Sequence, residues 1–307
     1  MSKPTFRVRT AVLPSALLAL WLVGERGRLL RRSTWRAVRE GGLRSLLNLK
    51  ALHLYVYLRW SNQYIDTLIN RVCPRLGDRG WEWGYDRYHA KVLTTEHAEA
   101  IVMLDHDLPE RDLEQIIPYR MARQLVLSGP PDVAAYECAC RHARQTHCEP
   151  TQVCMVVGQP VVDFVLEHNP QSSRRLTQAE AIELLRAEHD RGHVHSAWFK
   201  DAAYDRFYVI CNCCTCCCAG IEAMMKYGRP VMASSGYVAQ VDAGACTSCG
   251  ACVEACPFRA LSMDDVASVN RERCMGCGVC TSQCQADGVA LVRDEAKGIP
   301  LDVRVLA

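Results

Sequence analysis

The chain has 307 residues, enough for about two domains with a sizeable core. With 49% hydrophobic and 23% charged residues it has the make-up of an ordinary globular protein, not of a disordered tail. The net charge of +2 conceals an asymmetry: residues 1–60 hold twelve Lys or Arg against two Glu, a local +10, which leaves −8 for the remainder.

Residues 10–24, TAVLPSALLALWLVG, are the longest uncharged apolar run, shorter than the roughly 20 residues a membrane-spanning helix takes, and Pro14 and Ser15 interrupt it. No small-x-small cleavage site follows, so a signal peptide is not expected. Residues 28–40 set Arg28, Arg31, Arg32, Arg36 and Arg39 around Leu29, Leu30, Trp35 and Val38, a pattern suited to a helix in a membrane interface or against a partner. A second helical stretch runs from Leu43 to Val72, with Leu43, Leu46, Leu47, Leu54, Leu58 and Ile65 at helical spacing and Tyr55, Tyr57, Trp60 and Tyr64 adding amphipathic bulk. Residues 1–75 therefore read as a basic helical docking region, and residues 1–60 as removable without harm to the rest; packing on the chain's own core is the alternative. Cys73-Pro74 ends the stretch, since proline disfavours helix in the residue before it. Cys73, standing alone, reads as a small buried hydrophobe.

Residues 76–235 read as a Cys-rich middle domain. Residues 76–90, rich in Gly and aromatics, read as a loop or linker, and residues 94–126 as helical, with Leu113, Ile116, Ile117, Met121 and Leu125 along one face. Ser128-Gly-Pro-Pro-Asp132 breaks the chain. Then comes Glu137-Cys138-Ala-Cys140-Arg141-His142, followed by Cys148 and Cys154, and later Cys211-Asn-Cys213-Cys214-Thr-Cys216-Cys217-Cys218. Six cysteines in eight positions make poor disulfides, because such short loops cannot reach relaxed geometry. As thiolates they repel unless a cation sits among them, and a metal centre supplies one. The ten cysteines suffice for one or two further iron–sulfur clusters, with the ligand sets left open; zinc and free thiols are the alternatives. Arg141, His142 and His147 either tune such a centre or are plain surface groups. Thr177-Gln-Ala-Glu180 is a capping box that starts a helix to about His189. Arg206–Ile210 is strand-like, and helix plus ribbon suggest a winged-helix subdomain. His193 and His195, in a loop between them, read as structural or solvated rather than as ligands. Residues 219–236 read as a helix and a connector.

Residues 236–307 carry the most specific signal. Cys246-Thr-Ser-Cys249-Gly-Ala-Cys252-Val-Glu-Ala-Cys256-Pro257 is followed, 28 residues on, by Cys274-Met-Gly-Cys277-Gly-Val-Cys280-Thr-Ser-Gln-Cys284. Each half is C-x2-C-x2-C-x3-C, an internal duplication. The stretch resembles the bacterial two-cluster ferredoxins over residues 237–293. The resemblance implies two [4Fe-4S] clusters, one on Cys246, Cys249, Cys252 and Cys284 and the other on Cys274, Cys277, Cys280 and Cys256. Gly250 and Gly278 keep the backbone close to the clusters. Gln285 departs from the family pattern, which has proline there. The ECACR and CNCC-x-CCC signatures also look like a group of poorly characterised ferredoxin-containing proteins of anaerobes. The tail after Val292 carries no motif.

No phosphate loop, dinucleotide fingerprint or hydrolytic signature is present. The expected fold class is α+β: a helical N-terminal region, a mixed Cys-rich middle and a ferredoxin-like module. The expected function is multi-cluster electron transfer as a relay subunit of a larger redox complex, with redox partner proteins and a peripheral membrane contact through residues 1–60, and with no catalysis by the chain alone. Clusters are built in a reducing compartment, which points to the cytoplasm, at the inner face of the membrane where the basic arm docks. A reductase with chemistry at Cys211–Cys218 and an iron–sulfur sensor binding nucleic acid are the alternatives. Nucleic acid is disfavoured, because Glu180, Glu183, Glu188 and Asp190 on the recognition helix would face phosphates.

Overall fold

A computed structural model describes residues 23–25, 30–42 and 48–306. The apolar run at 10–24 falls outside them except for its last two residues, as do Arg28, Leu29, Leu43, Leu46 and Leu47.

Arg32–Gly41 (α1) is helical and is tied to the body of the protein. Ser33 N–H donates to Glu167 Oε2 at 2.8 Å, Thr34 Oγ1 meets His168 Nε2 at 2.9 Å, and Arg36 pairs with Asp163. Leu49–Arg59 (α2) starts where the Asn48 side chain accepts from Lys50 N–H, and it buries Leu54, Tyr55, Tyr57 and Leu58. The buried Glu25 carboxylate accepts from Thr34 Oγ1 and Tyr55 OH, each at 2.8 Å, and so ties the segment before α1 to α2. Ser61–Thr67 (α3) runs on through a π turn, Leu68–Val72, and a 3₁₀ turn, Cys73–Arg75. The alternative of a private core is thus what the described N-terminal helices realise, and residues 48–60 are not separable from the body. Residues 76–90 are not a linker: Asp78–Arg87 (α4) is a helix, held by buried Trp81 against Tyr227 at 5.4 Å between ring centres.

The body is a nine-stranded sheet among the described residues. Its strands are Tyr88–Val92 (β1), Leu108–Asp112 (β2), Gln124–Leu127 (β3), Val133–Tyr136 (β4), Cys154–Val157 (β5), Ser173–Leu176 (β6), Val194–Lys200 (β7), Arg206–Cys213 (β8) and Met232–Ala233 (β9). The order is β6-β4-β5-β8-β7-β1-β9, with β3 paired parallel to β8 and β2 beside β3. Residues 94–126 therefore do not form one helix. Thr95–Val102 (α5), capped by Thr94, is helical, while Leu113, Ile116, Ile117 and Leu125 reach the core from β3 and the loop before it. β7 and β8 are central strands of this sheet, so the helix and ribbon do not form a winged-helix subdomain.

The sheet is covered on both faces, and strand alternation sorts its residues. Val133, Ala135, Met155, Val157, Ala197, Phe199, Phe207 and Ile210 face one core, with α5 and Gln178–Asp190 (α8) over them. The Thr177–Glu180 capping box starts α8 as the sequence predicts. Leu301 and Val303 of the tail are fully buried in that core, although the tail has no sequence signature. Ala134, Tyr136, Cys154, Val156, Trp198, Tyr208 and Cys213 face the other core, under α2, α3, Val161–His168 (α7) and Ala219–Tyr227 (α9). His195 is a fully buried β7 residue whose Nδ1 meets Asn212 Oδ1 at 2.6 Å, and buried His193 meets Glu188 at 2.7 Å, so both are structural.

The C-terminal module has a small core of its own. Tyr237–Val241 (β10) pairs antiparallel with Val289–Arg293 (β13), and Leu261–Met263 (β11) with Ala267–Val269 (β12). Two short helices, Ala251–Ala255 (α10) and Val279–Ser282 (α11), carry cysteines. The module docks on the body where Ser235 Oγ donates to Gly276 O at 2.7 Å and Gln283 Nε2 to Asp190 O, after α8, at 3.0 Å. Among the described residues no helix is long and apolar enough to cross a membrane.

Candidate metal centres

In the C-terminal module the local geometry recurs at the 28-residue offset. Ser248 and Gly276 have φ of 57° and 62°, Gly250 and Gly278 79° and 81°, and Arg259 and Asp287 both 49°. Cys246 N–H donates to Asp242 O and Cys274 N–H to Asn270 O, each at 3.0 Å. Ala260 N–H reaches Cys256 Sγ at 3.2 Å, and Gly288 N–H reaches Cys284 Sγ at 3.3 Å. Left-handed backbone ahead of each short helix turns the chain around a central point, so three cysteines converge. One small cavity is lined by Cys246, Cys249, Cys252 and Cys284, another by Cys256, Cys274, Cys277 and Cys280. The donors are thiols and nothing else, which is the chemistry a four-iron cluster takes.

The two cavities differ in setting. Cys249 is exposed and Cys246 and Cys284 half-buried, whereas Cys274, Cys277 and Cys280 are buried. Burial, helped by the neighbouring thiols, pushes the Cys277 and Cys280 thiols up, the latter to about 12. A Cβ on Gly276 would collide with the Tyr237 carbonyl and Ser235 Oγ at a positive φ. Gly276→Ala is expected to cost about 1–3 kcal/mol of strain and to lower iron occupancy of the inner cavity more than the outer; the checks are thermal melting and iron analysis.

The ten middle cysteines divide into two sets. The first forms a closed ring. Cys154 ends up beside Cys211 because β5 and β8 pair antiparallel with Met155 opposite Ile210. Cys211 and Cys213 share a face of β8, two residues apart. Cys138 and Cys140 enter at the start of Ala139–His142 (α6), and Cys218 is the residue before α9. Neighbouring thiols interact around the cycle Cys138, Cys140, Cys218, Cys213, Cys211, Cys154 and back to Cys138. Neighbouring thiols and burial push most of these well up, while bonds from Cys211 and Cys218 bring Cys213 down to about 6. The ring lines a cavity of about 80 Å³, whose wall is completed by Tyr57, Tyr88, Tyr136, Trp198 and Tyr208.

The second set is Cys148, Cys214, Cys216 and Cys217, whose four sulfurs all lie within 4.8 Å of one another. It sits at the edge, with Cys216 exposed and Cys148 half-buried.

Arg141 stands between the two sets and is fully buried. Its Nη2 donates to Glu188 Oε2 at 3.0 Å and to Asn212 O at 3.4 Å, and Nη1 donates to Pro150 O. Although burial works against its charge, Cys138, Cys214, Glu188 and Cys148 together hold its pKa above the ordinary value. It is therefore a counter-charge to the thiols. His142 and His147 are the surface groups of the alternative reading, beside Glu137 and Glu149. Sequence reasoning missed Glu188 as Arg141's partner. The lone acidic residue of α8 that falls on its buried face was the available signal. Cys73 lies apart from every set; it is half-buried against the core, and burial raises its pKa.

Comparison with known proteins adds one match. Residues 239–262 fit the family described as the 4Fe-4S binding domain, a segment that holds Cys246, Cys249, Cys252 and Cys256. No curated protein and no solved structure matches the chain. The chain thus contains a 4Fe-4S binding domain and Cys-rich groups that suit metal, features that together indicate iron–sulfur electron transfer.

Proposed function

We propose that this protein is an electron relay unit of a larger redox complex, with three iron–sulfur centres in series. Cys246, Cys249, Cys252 and Cys284 would hold an outer [4Fe-4S] cluster, Cys274, Cys277, Cys280 and Cys256 an inner one, and the six-thiol ring a third centre. Such clusters supply one-electron storage at potentials set by their surroundings. The chain's residues do the rest. Cys249, at the surface, lets a partner approach the outer set. The backbone N–H groups of Ala260, Ala239 and Gly288 donate to the sulfurs of Cys256, Cys274 and Cys284, which favours the charged sulfur and so the reduced state. Arg141 offsets the negative charge of the ring.

The observation that carries this reading is a shared core. Cys277 and Cys256, with Phe258, Met275 and Val279, pack into the same apolar cluster as Cys138, Cys154, Cys213 and Cys218. The inner set and the ring therefore border one continuous apolar core, which supports a path for electrons through protein.

Iron and sulfide counted on anaerobically purified protein should give about twelve irons per chain. Eight or fewer, with the C-terminal sites full, would remove the ring from the relay. In electron paramagnetic resonance of dithionite-reduced protein, Cys154→Ser should erase the signal of the ring and leave those of the C-terminal module. A shift of the ring's signal on adding cyanide would instead favour the reductase reading. Docking on a membrane or on a subunit of the complex belongs to the same proposal: residues 1–60 carry a charge of +10, and Arg32, Arg36 and Arg39 stay exposed although α1 packs on the body.

A further inference from the structure

We infer that Cys148, Cys214, Cys216 and Cys217 form a closed mononuclear zinc site, distinct from every iron–sulfur centre of the chain, which clips the loop before β5 to the turn after β8. Zinc bound to thiolates at about 2.3 Å places sulfurs roughly 3.8 Å apart at the corners of a tetrahedron. A cubane puts its four irons between the thiolates and spreads them to roughly 6 Å. The four sulfurs lie within 4.8 Å of one another, and the Cys216–Cys217 pair, at 3.1 Å, has to open by about 0.7 Å for zinc but by about 3 Å for a cubane.

The other thiol sets of the chain are spaced differently from this one. Among the described residues this is the one group of His, Cys, Asp or Glu donors gathered so closely. The eight cysteines of the C-terminal module and the six of the ring are all described, and they stay more open.

The chemistry and place of the set agree with a structural ion. Four thiolates and no open position are the ligands of a closed zinc site. The Cys214–Cys217 turn supplies three ligands and Cys148, from the loop before β5, the fourth. Arg141, within electrostatic reach of Cys148 and Cys214, and Arg144, whose Nε donates to Cys217 O at 3.2 Å, offset the net negative charge of a zinc tetrathiolate. Cys214 also lines the ring cavity, so the clip borders it. The ion would fix the Cys214 side of the cavity without changing its own redox state.

The test uses full-length protein purified anaerobically from medium containing both iron and zinc. It should carry about one zinc per chain, with zinc-edge X-ray absorption showing four sulfurs at about 2.3 Å. Cys216→Ser, at the exposed position, should lose at least tenfold in zinc retention against a chelator and keep the ferredoxin signals. Cys154→Ser in the ring should lose iron and keep zinc, which separates this inference from the relay reading. It is overturned by wild type with iron but no zinc, by zinc retained unchanged in Cys216→Ser, or by Cys216→Ser erasing a reduced-cubane signal. A high-spin ferric signal from a single iron, lost in Cys216→Ser, also overturns the assignment to zinc.

Discussion

Arg141→Met should lower the apparent melting temperature by roughly 6–12 °C and strip the middle domain of its iron while leaving the C-terminal module loaded. Two effects add. The first is the broken buried pair. Arg141 and Glu188 are both fully buried and 3.0 Å apart, and removing one partner of such a pair costs about 3–5 kcal/mol because the other charge is left without its match. Arg191 and His193 still touch Glu188, at 2.9 and 2.7 Å, so the lower end of that range is expected. The second is the counter-charge. Cys138, Cys148 and Cys214 all feel the guanidinium, and an apolar replacement leaves several thiolates facing one another without it. Arg141→Lys should fall between, since an ammonium keeps the charge but cannot serve Pro150 O, Asn212 O and Glu188 at once. Combining Arg141→Met with Glu188→Gln should cost less stability than the sum of the single changes and should not recover the iron. Equal loss of iron from the C-terminal sites, or a melting point unchanged in Arg141→Met, would show that the buried pair is not what supports the ring.

Legibility of this chain in sequence follows the range of the forces involved. The C-terminal sets were readable because their geometry is local: a loop of fixed spacing, with Gly250 and Gly278 in left-handed backbone, decides which sulfurs converge. The capping box at Thr177 and the strand at Arg206–Ile210 are local in the same sense. The division of the ten middle cysteines was not readable, because it depends on the register of β5 against β8 and on a loop folding back to bring Cys148 to Cys214. The helical reading of residues 94–126 failed because Leu113, Ile116, Ile117 and Leu125 happen to sit at helical spacing, yet they are buried by the sheet. Residues 76–90 failed the opposite way: Gly80 and Gly84 lower helix propensity, and packing of Trp81 on Tyr227 overrides it. The tail gave no signal because Leu301 and Val303 are short contributions to a core built elsewhere.

Deleting residues 1–60 is expected to abolish the middle centre rather than to release an intact protein from a docking partner. The reason lies in α2. Leu54, Tyr55, Tyr57 and Leu58 are buried in the core that also holds the ring cysteines. Truncating a single buried side chain of that size costs about 2–5 kcal/mol, so losing four of them exceeds much of the 5–15 kcal/mol that holds a typical domain. Tyr57 is the most telling of them. Its hydroxyl meets Tyr208 OH at 2.8 Å and Tyr88 OH at 3.2 Å, its ring lies 5.0 Å from buried Lys200 Nζ, and it lines the cavity of the ring. Without it, water enters beside Cys211, and the dry setting that keeps six thiols together is lost. The C-terminal module has its own core and should stay loaded and reducible by dithionite. Tyr57→Ala is the milder version: it should keep the fold, raise the exposure of the ring to alkylating reagents after metal removal, and shift the spectrum of the ring while leaving the ferredoxin signals in place. If the 1–60 deletion instead gives a protein with the full iron content and an unchanged ring spectrum, α2 is a dispensable arm, and the described contacts of Tyr55 and Tyr57 hold nothing that the cavity needs.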